Sequence, residues 1–283
     1  MGWLHRNKIH KEEAPHYTIE SGVCSDVGRR RTNNEDNYWM IDVFNEDMED
    51  HREEGMVVHP KRNEWFGYGV FDGMGGGADG EVAAHISSQL FEEYIRENPM
   101  KNKTDAEKTA RFCFQEANRR IVDQQERSNG MLGTTGTVVL TNGNYFKVFH
   151  MGDSRAYLYR NGVLGQITHD QTLAEMKLAA GLYAREDREE IRDRHKLVSY
   201  IGCEEESEAI VPDESIWIRA TDGDRILLCS DGLYDMCTDL EITVILGAGL
   251  STQETLTCLV ERALENGGVD NVTCLLITFH TDA

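Results

Sequence analysis

The sequence predicts an α+β fold of antiparallel sheets with helices packed outside them. Three observations predict it. Two strong hairpin signals sit mid-chain, where Asn142-Gly143 and Asn161-Gly162-Val163 each separate two strand-like runs. Helical periodicity comes in blocks, two long stretches before the hairpins and another near the end, rather than alternating with single strands. That grouping is not the β-α-β order of a parallel sheet. Finally, 283 residues at 40% hydrophobic content are ample for a large core, and no repeat or Ser/Pro linker divides them. One domain is expected over 16–283, behind a flexible lead-in over 1–15.

The elements follow in order. Tyr17 to Cys24 begins the ordered part as an edge strand. Asp42 to Glu54 sets seven acids against Arg52 and reads as a solvated loop. Trp65 to Phe71 is a strand. In Glu81 to Asn98, Ala83, Ile86, Leu90, Phe91, Tyr94 and Ile95 share a helical face; in Asp105 to Arg127, Ala110, Cys113, Phe114, Ala117 and Ile121 do so. Thr104-x-x-Glu107 and Ser251-x-x-Glu254 have the form of capping boxes. The first hairpin pairs Thr135–Thr141 with Tyr145–Met151, the second Ala156–Arg160 with Leu164–Thr168. Leu173 to Gly181 is a short helix, and Arg185 to Lys196 an exposed helix or mobile segment. A strand over Arg225–Ser230, a helix with Leu256, Leu259, Val260, Ala263 and Leu264 on one face, a stop at Gly267 and a strand over Asn271–Phe279 complete the chain.

Composition excludes several classes of function. Lys+Arg total 29 and Asp+Glu 50, a net charge of −21, which argues against a nucleic-acid backbone or an anionic membrane as main partner. The 7 cysteines are dispersed, without a Cys-x-x-Cys pair, as expected of reduced core thiols. No run reaches the ~18 apolar residues of a membrane span, and Met1 to Lys8 lacks a signal-peptide apolar region. A cytoplasmic monomer is expected.

The distinctive feature is a set of acids at strand ends beside Gly or Asn: Phe71-Asp72-Gly73, Met151-Gly152-Asp153, Ser230-Asp231-Gly232, Val269-Asp270-Asn271 and Asn33-Asn34-Glu35-Asp36. A rigid sheet holds such a carboxylate, and a following glycine lets backbone approach whatever it binds. Several converging carboxylates repel unless cations lie between them. Oxygen ligands without His or Cys favour Mg²⁺ or Mn²⁺. Each motif alone is an ordinary turn, and Thr221-Asp222-Gly223-Asp224 is read as one. The stretch Gly73 to Gly80 lacks the endings of a P-loop or dinucleotide fingerprint.

In order and spacing these motifs resemble the type 2C metal-dependent protein Ser/Thr phosphatases (the PPM family), bacterial-style catalytic domain. Ser25-Asp26-Val27-Gly28-Arg29-Arg30-Arg31-Thr32-Asn33-Asn34-Glu35-Asp36, Phe71-Asp72-Gly73-Met74-Gly75-Gly76, Gly133-Thr134-Thr135, Gly152-Asp153-Ser154-Arg155-Ala156, Leu228-Cys229-Ser230-Asp231-Gly232-Leu233 and Asp270-Asn271-Val272-Thr273 carry the likeness from about Thr18 to Phe279. The resemblance implies a four-layer α-β-β-α sandwich. It implies that Asp72 bridges two Mn²⁺ or Mg²⁺ ions and the Gly73 carbonyl joins one. Asp231 and Asp270 serve one ion, Glu35 the other with Asp36 directly or through water, and Asp153 with Asp231 a third, weaker ion. Arg31 grips the substrate phosphate.

The implied reaction is hydrolysis of phosphoserine or phosphothreonine in proteins, the targets of Ser/Thr kinases. A metal-activated hydroxide attacks phosphorus, with no phosphoenzyme. Arg29 and Arg30 read as exposed turn charges. Met74 and Gly77 stand where relatives carry His, so the proton donor to the leaving oxygen is open; metal-bound water comes first, His169 and His195 after it. Asp170-Gln171-Thr172 departs from the family's usual Asp-His-Ser/Thr. The stretch 172–210 corresponds to the flap beside the site, expected to be mobile and to select substrates. Two other readings stay open: an inactive phosphoprotein-binding relative, and a phosphatase of small phosphate esters.

Overall fold

The structure, a computed structural model, describes residues 17–40, 43–44, 52–58, 64–75, 80–128, 130–204 and 210–281. The lead-in, Gly76 and Gly77 lie outside the described residues, as do the acids between Phe44 and Arg52.

Two antiparallel sheets face each other. The first has the strand order β10 (Val163–Gln166), β9 (Arg155–Arg160), β13 (Arg225–Cys229), β14 (Val272–Thr281), β1 (Tyr17–Asp26), β4 (Arg52–Val58). The second runs β11 (Asp213–Glu214), β8 (Tyr145–Met151), β7 (Gly136–Thr141), β5 (Phe66–Gly75), β2 (Asp36–Met40), β3 (Val43–Phe44). Alongside it, β12 (Ile218–Arg219) pairs β8 and β6 (Leu132–Thr134) pairs β5. Helices α1 (Gly80–Glu97) and α2 (Lys103–Ser128) cover the second sheet; α4 (Asp231–Tyr234), α5 (Asp239–Leu246) and α6 (Thr252–Glu265) cover the first. Helix α3 (Leu173–Ala179) lies in the stretch after β10.

These are the four layers of an α-β-β-α sandwich, and the strands read as unbroken apolar runs because both faces are covered. In β14, Leu275, Ile277 and Phe279 point between the sheets, while Val272, Cys274 and Leu276 point at the helices. Cys24, Cys274 and Cys229 stand side by side on that helix-facing surface, in direct register across β1, β14 and β13, all free thiols.

Several expectations change. Strand β1 is interior, between β14 and β4, and the acidic stretch read as a loop contributes β3 and the start of β4. An edge strand pairs on one side only, so it accepts the charges that misled the reading. The second hairpin turns on two residues, Asn161 and Gly162, both at positive φ (52° and 79°). The Thr104 box does not form: Asn102 Oδ1 accepts the Asp105 amide instead, at 3.0 Å, and Glu107 is taken by Lys147 and Trp217, at 2.8 and 2.7 Å. The Ser251–Glu254 box forms on both sides. Arg185–Glu190 is one 3₁₀ segment, followed by the buried Ile191. Helices α4 and α5, the latter with its own Thr238–Glu241 box, are too short to show periodicity.

Candidate active site

The site lies where the start of β2 and the ends of β8 and β13 come together beside Asp72 of β5. Asp36 and Asp72 face each other in register across β2 and β5. Strand β5 does not stop at Asp72 but runs on to Gly75, pairing β6. The Asp72 carbonyl accepts from the Thr135 amide at 2.8 Å and the Thr134 hydroxyl at 2.9 Å. A Cβ on Gly73 would fall 2.2 Å from the Gly80 carbonyl oxygen and 2.5 Å from that of Glu35. Only glycine lets the strand, the start of α1 and the Glu35 loop meet here.

Asp231 opens α4 directly after β13. The preceding Ser230 hydroxyl donates to Asp36 Oδ2 at 2.7 Å and accepts the Thr273 amide at 3.0 Å. Asn271 joins the remaining motifs. Its Oδ1 accepts the Glu35 amide at 2.8 Å, and its Nδ2 donates to the carbonyls of Val27 and Asn33 at 2.9 and 3.0 Å. Asp153 sits in the turn from β8 to β9 behind Gly152, whose φ is +105°.

The electrostatics follow from this crowding. Burial pushes Asp36 up to about 7 against the Ser230 and Thr273 hydroxyls, with Asp270 and Glu35 adding repulsion. Asp153 is likewise pushed up to about 7 by burial, then by Asp170 and Asp235. Asp72 is held well above the carboxylate range by burial and by Asp36, Asp231, Asp153 and Asp270. Burial, Asp153, Asp270 and Asp235 do the same to Asp231. Glu35 rises through burial, opposed by the Asn33 hydrogen bond and Arg31. At the mouth Arg31 donates through Nη2 to Asp270 Oδ2 at 2.6 Å.

All the acids singled out from sequence therefore meet at one end of the sandwich, with Gly73 and Arg31. Asp235, one turn beyond Asp231, and Glu81, bridged to Glu35 by Asn33 Nδ2 at 3.5 Å to each, were missed. The i, i+4 spacing of Asp231 and Asp235 was the available signal. Arg29 turns away to the Leu264 carbonyl at 2.8 Å. Asp224 is buried in its turn and gripped by both prongs of Arg160 at 2.7 Å. His195 Nδ1 lies 3.8 Å from Asp235 Oδ2, at the rim of the cluster.

The donor set is all oxygen and suits hard divalent cations. Among the described residues no three His, Cys, Asp or Glu side chains already enclose a single ion position. The set fits such cations by its chemistry and its uncompensated repulsion rather than as a finished cage.

The stretch after β10 is stitched to this site. The Gln171 amide donates to the Gly152 carbonyl at 2.7 Å, the Val198 amide to the Gln171 carbonyl at 2.9 Å, and Ile201 exchanges backbone bonds with Thr134 at 2.9 Å. A groove of about 630 Å³ runs between α3, Val198 and Asp213, walled by Met176 and Tyr183.

A sandwich of this form, with acids gathered at the ends of both sheets, defines a class of metal-dependent phosphohydrolase folds. The family model "Protein phosphatase 2C" matches residues 54–265, and the chain belongs to that family. It is 31% identical over 260 residues to the serine/threonine phosphatase stp of Listeria monocytogenes, covering 89% of this chain and 93% of that one. It is 34% identical over 210 residues to the serine/threonine protein phosphatase PstP of Mycobacterium tuberculosis, covering 72% of this chain and 38% of that one. A crystal structure of PstP superposes with a TM-score of 0.76 at 29% identity, over 93% of this chain and 99% of that one. The PstP catalytic domain described in complex with 2 manganese ions gives 0.72 at 28% identity, over 93% and 99%. No helix among the described residues is long and apolar enough to cross a membrane.

Proposed function

We propose that this chain is a metal-dependent protein serine/threonine phosphatase. One observation carries the reading. The carboxyls of Asp36, Asp72, Asp153 and Asp231, with Glu35 and Asp270 beside them, are crowded against one another at the strand ends. Carboxylates so placed call for cations. Family membership and the manganese-bound relative support Mn²⁺ or Mg²⁺.

In this assignment Asp72 and the Gly73 carbonyl would help hold two ions, Asp231 and Asp270 would serve one of them, Glu35 and Asp36 the other, and Asp153 with Asp231 a third, weaker one. When bound, such ions supply Lewis acidity that activates water and neutralises phosphate oxygens. Arg31 offers a two-pronged grip on the phosphate dianion and orients it. Ser230, Asn271 and Thr135 hold the acids in place. The leaving Ser or Thr oxygen takes up a proton, and of the two histidines considered, His195 is the one beside the cluster.

The named relatives support phosphorylated proteins as substrates. We further read the chain as one catalytic domain over 16–283, with a flap at 172–210 that selects among phosphoproteins, opposing Ser/Thr kinases in cytoplasmic signalling as a monomer. The charge of −21 speaks against nucleic acid or an anionic membrane as partner. None of Asp72, Asp231 and Asp270 is missing, which speaks against an inactive relative.

The test is hydrolysis of p-nitrophenyl phosphate and a phosphothreonine peptide with Mn²⁺ and with EDTA. Turnover of both, abolished by chelation, is expected. Activity that survives EDTA sinks the reading; turnover of the small ester alone sinks the protein substrate. Exchanging the flap with that of a relative is expected to change peptide preference.

A further inference from the structure

We propose that Arg155 is a positioning residue that sets the Asp153–Asp231 side of the acid cluster and ties it to the base of the flap. This rests on the phosphatase reading above. Arg155 opens β9, two residues after Asp153, and its guanidinium makes four contacts at once. Nε donates to Asp170 Oδ1 at 2.9 Å, Nη2 to Asp170 Oδ2 at 2.6 Å and Nη1 to the Tyr157 hydroxyl at 2.9 Å. Its Cζ lies over the Tyr234 ring, 3.5 Å from the centroid. Arg155 and Asp170 are 16% and 3% exposed, so little water competes for the pair.

Two of these partners, Tyr234 and Asp170, lead to the site. Tyr234 closes α4, the helix that Asp231 opens, and its hydroxyl donates to the Asp153 carbonyl at 3.1 Å. Asp170 begins the flap base, and the next residue, Gln171, holds Gly152 from both sides, amide to carbonyl at 2.7 Å and Gly152 amide to Oε1 at 2.9 Å. Asp153 and Asp231 repel each other, so their separation has to be imposed by backbone held from outside. A planar guanidinium can fork onto a carboxylate, donate a third bond and stack on a ring together; a lysine ammonium cannot. Arg155 hydrogen-bonds neither Asp153 nor Asp231 through their carboxylates in these contacts. Apart from its charge, which also acts on Asp153 directly and which a lysine keeps, its effect passes through Tyr234 and Asp170, in the manner of groups that orient metal ligands from behind.

The experiment is calorimetric titration of the full chain with Mn²⁺, for wild type, Arg155→Lys and Tyr234→Phe, with p-nitrophenyl phosphate kinetics at each Mn²⁺ concentration. Arg155→Lys is expected to weaken the weakest class of Mn²⁺ sites by about tenfold or more and to spare the tighter ones. kcat should fall at low Mn²⁺ and recover at high Mn²⁺, with the ester KM within about twofold of wild type. Tyr234→Phe keeps the stack, loses the carbonyl bond, and should fall between. A folded Arg155→Lys with an unchanged isotherm overturns the proposal, as does one that loses all Mn²⁺ classes equally. If Arg155→Lys does not fold, an unchanged isotherm for Tyr234→Phe overturns it. Failure of the phosphatase reading looks different: the wild type itself takes up no Mn²⁺.

Discussion

Two clusters of charge, one at the ends of both sheets and one on the second sheet, are built on opposite plans. On the second sheet's outer face, against α2, Lys147 donates to Glu107 at 2.8 Å and to Glu214 at 2.7 Å; Arg111 grips Glu214 with two nitrogens, and Trp217 donates to Glu107. The Lys147 hydrogen bond holds Glu107 below the usual carboxylate range. Glu214 ends below it too, because Arg111 and Lys147 outweigh its burial. At the strand ends Asp36, Asp72, Asp153 and Asp231 are at least as enclosed, yet all four are pushed upward, each by burial and by neighbouring acids. The chain thus supplies counter-charge where charge is structural and leaves it out where the proposed cations belong. A buried carboxylate without its own cation is costly in the isolated protein. That cost, carried by several residues together, marks a site rather than a staple.

The largest expected effect breaks this contrast from the acid side. Asp231→Ala removes a ligand shared by two proposed ion sites, and kcat on p-nitrophenyl phosphate with Mn²⁺ should fall by about 10³-fold or more, roughly 4 kcal/mol of barrier. In EDTA the same variant should melt no lower than wild type, since it relieves repulsion; calorimetry reads this directly. Unchanged turnover would show that the carboxylate assignment is wrong.

The converse change is Lys147→Met. It strands Glu107 and Glu214 and should cost about 3 kcal/mol in urea unfolding, as breaking a largely buried ion pair does, while Mn²⁺ affinity stays within about twofold of wild type. A cost under about 1 kcal/mol would place this network among ordinary surface pairs and remove the comparison's structural half.

How much of this was legible in the sequence follows from the range of each signal. The acids were legible because each is local, a carboxylate at the end of an apolar run beside Gly or Asn. Antiparallel sheets with helices outside were legible from grouped periodicity, and the four layers from the family likeness. The residues that hold the acids were not. Ser230 and Asn271 act on partners 194 and 236 positions away, and nothing in their own neighbourhoods distinguishes them from turn residues. The misplaced cap at Thr104 has the same origin: Asn102 and Thr104 both suit the position locally, and the decision came from Lys147, on a strand 40 residues from Glu107. Helix α4, at 4 residues, starts where Ser230 is held by Asp36 and Thr273, beyond the reach of periodicity.

A third buried group separates acid denaturation from the behaviour of the cluster. His150 is 2% exposed, with Nδ1 2.9 Å from the Thr137 hydroxyl and Nε2 3.2 Å from the His169 carbonyl. Burial lowers it to about 4 from an ordinary 6.5. The folded state therefore keeps it neutral where the unfolded chain takes up a proton. The stability from this group is complete above pH ~6.5 and is lost as pH falls towards 4. Asp36 and Asp153, raised to about 7, act in the opposite sense, binding protons in the fold before the unfolded chain does. In EDTA, His150→Gln should flatten the acid loss by on the order of 2–3 kcal/mol between pH 6.5 and 4, leaving the slope set by the acids. Parallel wild-type and variant curves in urea unfolding over that range would show that His150 is not the buried neutral base.

The smallest effect tests the mouth of the cluster, where the two plans meet. Arg31 is a cation paired to an acid, as in the structural network, but it is 47% exposed and its partner Asp270 32%. An ion pair that open adds little to stability, so its place there is better explained by what it can grip than by what it holds together. Arg31→Ala should leave the melting temperature within about 2 °C of wild type and raise KM for a phosphothreonine peptide about tenfold, near 1.4 kcal/mol, with a smaller change in kcat. Arg31→Lys keeps the charge and loses the fork, so most of the KM increase should remain if orientation matters and little if attraction alone does. A KM unchanged in both variants would make Arg31 a structural partner of Asp270, and the phosphate would then have to be held by the cations without help from the chain.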